Sequence, residues 1–207
     1  MFGRAVWADV APDKLDELVT LVRQAMETVS QQAGYRGTAV IGDREIGAGT
    51  VVTYWETLAD LQGSEKAAAQ ARVNVQESMP SLRIRDIERL EMVVQERAAP
   101  PQANTFIRIS DASVPTDKID DVLAFVRDQA VPALKAQQGF RAALSAVNRT
   151  TGRIISSSVW DTAANREASE SAIAPLRSQA TTLAGAPAPT VSRGEVLLAD
   201  VKLPAAV

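Results

Sequence analysis

Two periodicities of apolar residues alternate along this chain, and their order repeats. Arg4 to Val10 is a short apolar-rich run that breaks at Ala11-Pro12, the pattern of a strand leading into a helix. Beyond Asp13, residues Leu15, Leu18, Val19, Val22, Met26 and Val29 recur three and four apart, which lays them along one side of a helix. Thr38 to Ile41, a turn at Gly42-Asp43-Arg44 and Thr50 to Trp55 then read as a hairpin, the last segment rich in β-branched and aromatic residues. A helix-compatible stretch follows from Leu58 to Val75, with Leu61, Ala68, Ala71 and Val75 on its inner face. Ile87 to Val94 closes the set as a strand, so the order is β-α-β-β-α-β.

The same order returns about a hundred residues later. Gly34-Tyr35-Arg36 reappears as Gly139-Phe140-Arg141, and Trp55-Glu56-Thr57 as Trp160-Asp161-Thr162, both at a spacing of 105 (139 − 34 and 160 − 55). Asp13-Lys14-Leu15-Asp16 answers instead to Asp117-Lys118-Ile119-Asp120 at a spacing of 104 (117 − 13). One residue is therefore gained or lost between these landmarks, which points to the helix end or its loop, and Pro132 is expected to kink or end the helix there. Ala142 to Val147 and Arg153 to Trp160 repeat the hairpin, Ala163 to Leu183 the second helix, and Glu195 to Val201 the closing strand, which follows a Pro/Ala-rich loop at Ala184 to Pro189.

The two prolines of Ala98-Ala99-Pro100-Pro101-Gln102-Ala103-Asn104 suit an extended connection. The expected organisation is a first ferredoxin-like repeat at 1–97, a linker at 98–104 and a second repeat at 105–207. A sheet with helices on one face leaves its other face to be covered, and the second repeat can cover it. The expected fold class is α+β, two ferredoxin-like β-α-β-β-α-β repeats packed sheet to sheet within one chain, an intrachain pseudo-dimer. Further pairing into a homodimer is left open.

Composition narrows the chemistry. A net charge of −3 with no basic run argues against nucleic acid as a partner. With no Cys and no His, thiolate nucleophiles, disulfides, imidazole bases and the commonest zinc, copper and haem-iron ligands are all missing. The N-terminus meets charge within a few residues and no long apolar run follows, so neither a secretory signal nor a membrane span is expected, and a cytoplasmic location is.

The order of elements, the tandem copies and the stretch Thr53-Tyr54-Trp55-Glu56-Thr57-Leu58-Ala59-Asp60-Leu61, with its echo Trp160-Asp161-Thr162-Ala163-Ala164-Asn165, resemble the antibiotic biosynthesis monooxygenase-like group of the dimeric α/β-barrel superfamily. The resemblance implies two units paired sheet to sheet into a barrel, here supplied by one chain. It also implies oxidation of phenol- or quinol-type aromatic molecules by molecular oxygen with no bound cofactor. A haem-degrading branch of that group uses a His in the second helix. Glu65 and Glu170 stand at the matching places here, so that chemistry is not expected.

Trp55 and Trp160, with Trp7, are the candidate walls for a flat aromatic ligand, since planar rings suit stacking. Core packing is their bland alternative. Tyr54 could hydrogen-bond a phenolate, and Arg36 and Arg141, at matching places in both copies, could stabilise a developing anion. Arg4 and Arg108 form a second matched pair, for which ion pairing is the bland alternative. The leading expectation is a cofactor-independent monooxygenase-like protein, and its rivals are a non-catalytic small-molecule binding or sensing protein and a degenerate structural partner.

Overall fold

The structure, a computed structural model, describes residues 1–202; the end of the second repeat, 203–207, lies outside the described residues. The first copy supplies strand β1 (Phe2–Asp9), helix α1 (Leu15–Val29), the hairpin β2 (Tyr35–Asp43) and β3 (Ala48–Trp55), helices α2 (Leu58–Gly63) and α3 (Glu65–Ser78), and strand β4 (Arg83–Arg97). The second supplies β5 (Thr105–Ser113), α4 (Ile119–Phe125), a π turn (Val126–Ala130), α5 (Val131–Lys135), β6 (Phe140–Asn148), β7 (Arg153–Trp160), α6 (Ala163–Ala168), α7 (Glu170–Ala184) and β8 (Thr190–Val201).

Hydrogen-bonded neighbours follow the order β1-β3-β2-β8-β5-β7-β6-β4 and close on themselves, so the fold is α+β with ferredoxin-like repeats and an eight-stranded antiparallel barrel. The strand partners hold a surprise. The chain divides into two compact units, Met1–Leu90 with Pro101–Asn104 and the segment from Glu195, and Glu91–Pro100 with Thr105–Gly194. In the first, β2 pairs with β8 of the other copy, Ala39 opposite Ala199 and Gly42 opposite Glu195. In the second, β6 pairs with the end of β4, Val147 opposite Glu91 and Ala142 opposite Arg97. Each closing strand is longer than the apolar pattern suggested, because the added residues include charged ones, Arg83, Arg85 and Asp86 in β4 and Arg193 in β8.

Three local features depart from expectation for identifiable reasons. The helix expected from Leu58 to Val75 is two helices parted at Ser64, and the one from Ala163 to Leu183 is parted at Ser169. Both serines are buried and donate through Oγ to a carbonyl of the preceding turn, Ser64 to Leu61 at 2.7 Å and Ser169 to Arg166 at 2.7 Å. Pro132 does not end the helix: the helical backbone runs from α4 through the π turn into α5, and Pro132, which has no N–H to donate, sits directly after that turn. The extra residue lies mid-helix, in the π turn, and not at the helix end or its loop.

In the first unit, α1 and α3 bury Leu15, Leu18, Val22 and Val75 on one face of the sheet, joined by Met79 and Leu82. In the second, Val122, Leu123, Val131, Leu134 and Ile173 do the same. The landmark glycines are explained by space: Gly34 has φ +68°, and a Cβ there would lie 2.3 Å from Asp60 Cγ, the residue that completes the capping box of α2 with Thr57.

Candidate functional site

In each unit, alternate residues of three adjacent strands form cross-strand rows facing the helices. In the second unit the rows across β5, β7 and β6 are Phe106–Trp160–Phe140, Arg108–Ser158–Ala143, Ser110–Ser156–Ser145 and Ala112–Ile154–Val147. The first unit matches them across β1, β3 and β2 with Phe2–Trp55–Tyr35, Arg4–Thr53–Thr38, Val6–Val51–Val40 and Ala8–Gly49–Gly42. The middle rows floor a cavity in each unit. The second unit's cavity, of about 110 Å³, is roofed by residues including Val126, Val131, Leu134 and Leu176. The first unit's, of about 70 Å³, lies beneath Leu18, Val22, Met26 and Val75. Both far exceed the roughly 10–15 Å³ that admits one water, so each has room for a small organic group.

The two floors differ in chemistry. Of the first cavity's lining, only Arg4, Thr53 and Arg72 are polar. The second places Ser110, Ser145, Ser156 and Ser158 beside Arg108. Ser145 Oγ and Ser156 Oγ share a hydrogen bond of 2.9 Å.

A buried arginine anchors the end of each cavity. Arg4 Nη2 donates to Leu61 O at 2.7 Å and Ser64 Oγ at 3.0 Å, and lies 3.0 Å from Glu65 Oε2. Arg108 repeats this, with Nη1 donating to Ser169 Oγ at 2.9 Å, Nη2 to Arg166 O, and Nε lying 3.0 Å from Glu170 Oε2 without a hydrogen-bonding angle. A cation at the carbonyl end of one short helix and a carboxylate in the first turn of the next are each the favoured charge for that helix terminus. Burial lowers the pKa of Arg4 and Arg108, and the carboxylates of Glu65 and Glu170 oppose that. For Glu65, burial pushes the carboxyl up, yet the hydrogen bond from Arg72 and the charge of Arg4 outweigh it and hold the group below the usual range. At Glu170 the hydrogen bond from Arg177 is the chief cause of the same lowering. Arg4 Nε and Nη1 make no hydrogen bond, and its guanidinium lies 5.7 Å from the Trp55 ring centroid.

The residues singled out in the sequence are scattered relative to these cavities. Trp55 and Trp160 are 0% exposed and line neither cavity; they fill the core at the sheet's end. Their Nε1 atoms donate to Thr53 Oγ1 at 3.1 Å and Ser158 Oγ at 3.0 Å, and their rings meet Tyr35 and Phe140 edge-on at 5.5 and 5.9 Å. Trp7 and Tyr54 fall between the row positions and so lie on the opposite face of the sheet from the cavities. Arg36 is paired with Glu56 at 2.7 Å, and Arg141 donates to Pro100 O at 3.1 Å; neither lines either of these two cavities. Arg4 and Arg108 do, as ion-paired groups. The serine row was missed, although reading the duplication column by column shows it: Val6, Val40 and Val51 of the first copy become Ser110, Ser145 and Ser156. Among the described residues no cluster of three or more carboxylates, His or Cys is placed to hold a metal, and no helix is long and apolar enough to cross a membrane.

Comparison with known proteins places these features in a wider group. Residues 1–75 match the family model described as antibiotic biosynthesis monooxygenase. Two uncharacterized proteins of Mycobacterium tuberculosis are each 22% identical, one over 162 residues (78% of this chain and 71% of that protein), the other over 206 residues (99% and 86%). Among solved structures, an anthrone oxidase-like protein superposes with a TM-score of 0.69 at 16% identity, covering 100% of this chain and 97% of the other. A proposed monooxygenase of Lactobacillus acidophilus gives 0.64 at 10% identity over 95% and 92%. A heme-degrading enzyme of Listeria monocytogenes gives 0.55 at 7% over 93% and 98%. At these identities the structural likenesses establish the fold alone.

Proposed function

We propose that the chain is a tandem relative of the antibiotic biosynthesis monooxygenase-like group of the dimeric α/β-barrel superfamily, a reading supported by the match of residues 1–75 and by the fold, and that its second-unit cavity takes a flat phenol- or quinol-type small molecule and promotes its oxidation by molecular oxygen. The observation that supports this reading is a sheltered cavity of about 110 Å³ whose floor combines an apolar rim, hydroxyl groups and one buried guanidinium. A phenol keto tautomer with a ring CH₂ supplies all four electrons itself: R₂CH₂ and O₂ give R₂C=O and H₂O, with one oxygen entering the carbonyl and the other leaving as water. The residues' part is to bind the ring, exclude bulk water and favour the anion that reacts with oxygen. Arg108, kept charged and only partly neutralised by Glu170, sets the positive potential for that anion. Glu170 is a weak base, since Arg177 and Arg108 hold it ionised, so the proton leaves by the acidity of the substrate itself.

That pairing of every ionisable group at the cavity also supports a second reading, a small-molecule binding protein without turnover. One experiment separates them: oxygen uptake by the purified chain on an anthrone and quinol panel, with ligand binding followed by calorimetry. Uptake above the uncatalysed rate supports oxidation, binding without uptake supports the second reading, and absence of both overturns the proposal.

A further inference from the structure

The two cavities occupy matching places in a duplicated chain, so their differences mark what each has become. Valine is the favoured filler for a buried strand position, and the first repeat keeps it at Val6, Val51 and Val40, a complete row across β1, β3 and β2. The second repeat has serine at all three, Ser110, Ser156 and Ser145, a complete row across β5, β7 and β6. Each exchange gives up apolar burial and brings in a hydroxyl that must find a partner, which a purely structural core has no reason to accept three times in line. Ser145 is almost fully buried. Each hydroxyl carries one hydrogen and two lone pairs, so the bond between Ser145 and Ser156 uses one of that pair's two hydrogens.

The roof above the row changed as well. The residue gained in the second copy is taken up by the π turn Val126–Ala130, whose Val126 and Ala130 line the cavity together with the flanking Phe125 and Val131. A single π turn inside a helix displaces side chains sideways without breaking the element, and such turns concentrate at functional sites. The cavity with the π turn is the larger, about 110 Å³ against about 70 Å³.

We infer that the serine row Ser110–Ser156–Ser145, beneath the π turn, is a specificity device that commits the second-repeat cavity to an oxygen-bearing ring, while the first-repeat cavity, floored by valines, favours an unsubstituted apolar group. This rests on the reading that the second cavity is the ligand site and adds what that site selects. The row runs across the strands and so offers hydrogen-bonding groups along an edge, which matches a ring hydroxyl or carbonyl lying against the sheet.

The test compares phenol with toluene, rings of like size with and without the oxygen, titrated into the full chain by calorimetry and by NMR shifts of the Ser145 and Ser156 amides. The variants are S110V/S145V/S156V, which restores the first repeat's row, and the milder single S156A. Wild type should prefer phenol by about tenfold or more, the worth of one to two hydrogen bonds, and the triple variant should lose or reverse that preference. S156A keeps the test available should the triple variant fold poorly, and it should lower phenol affinity severalfold with toluene unchanged. Phenol preference that survives in S156A, and in the triple variant where it folds, overturns the role of the row and leaves the cavity's function standing. Binding of neither probe to wild type overturns both.

Discussion

At the scale of single residues, the matched tryptophans were legible as landmarks but not as to face, because a strand-end aromatic satisfies core and pocket alike. Their indole N–H groups settle on Thr53 and Ser158 within the sheet, which is what a buried indole needs. The arginines show the reverse: Arg4 and Arg108 look like surface residues by type and are each 2% exposed, tolerable only because a carboxylate and helix carbonyls receive them. That arrangement predicts an acid limb. The folded carboxyl of Glu170 lies below its ordinary value of 4.5, so its contribution is fully present above that value and is lost as the pH falls through the lowered one. Glu170→Gln should cost about 1–3 kcal/mol near neutrality, toward the lower end because the carboxylate is partly exposed. Urea unfolding at pH 7 and at pH 3 checks this: the gap between wild type and variant should narrow at the lower pH, and a gap independent of pH refutes it.

At the scale of elements, helices and hairpins followed from periodicity, and the duplication followed from matched offsets. The breaks at Ser64 and Ser169 did not, since a serine that bonds back to its own helix looks in sequence like any other small helix residue. The π turn was half visible: the shift from 104 to 105 announced an extra residue, and only the backbone shows that the helix absorbs it in mid-course. Because Pro132 has no N–H, the helix gives up a hydrogen bond there in any case, which makes the neighbouring turn an inexpensive place for an insertion. Deleting Gln129, an exposed residue of the π turn, should restore an unbroken α-helical register. The expected result is a folded protein with its melting temperature changed by no more than about 2–4 °C, the equivalent of roughly 1 kcal/mol in a chain of this size, and clearly weaker phenol binding. Unchanged binding in the deletion variant would detach the π turn from the cavity.

At the scale of the whole molecule, the element order showed a paired-repeat α+β chain, but not which sheet each closing strand joins. Strand pattern fixes which face is apolar and is silent about the neighbour in the ladder, so β4 and β8 could each have closed on their own copy. Each does more than that: besides neighbouring the first strand of its own copy, β8 also pairs with β2, and the end of β4 also pairs with β6. A chain cut after the linker, 1–104, therefore loses β8, leaving β2 with a row of unpaired N–H and C=O groups, and it frees the β4 segment that β6 would have held. Both are exposed edges, and the least costly way to satisfy them is for the β4 of one fragment to lie along the β2 of a second, and the reverse, with twofold symmetry. Light scattering on the 1–104 fragment should give twice the fragment mass, with a dissociation that is coupled to unfolding. A folded monomer would mean that the first repeat satisfies its own edges, and the pairing of β8 with β2 and of β4 with β6 would then be incidental to the stability of the chain.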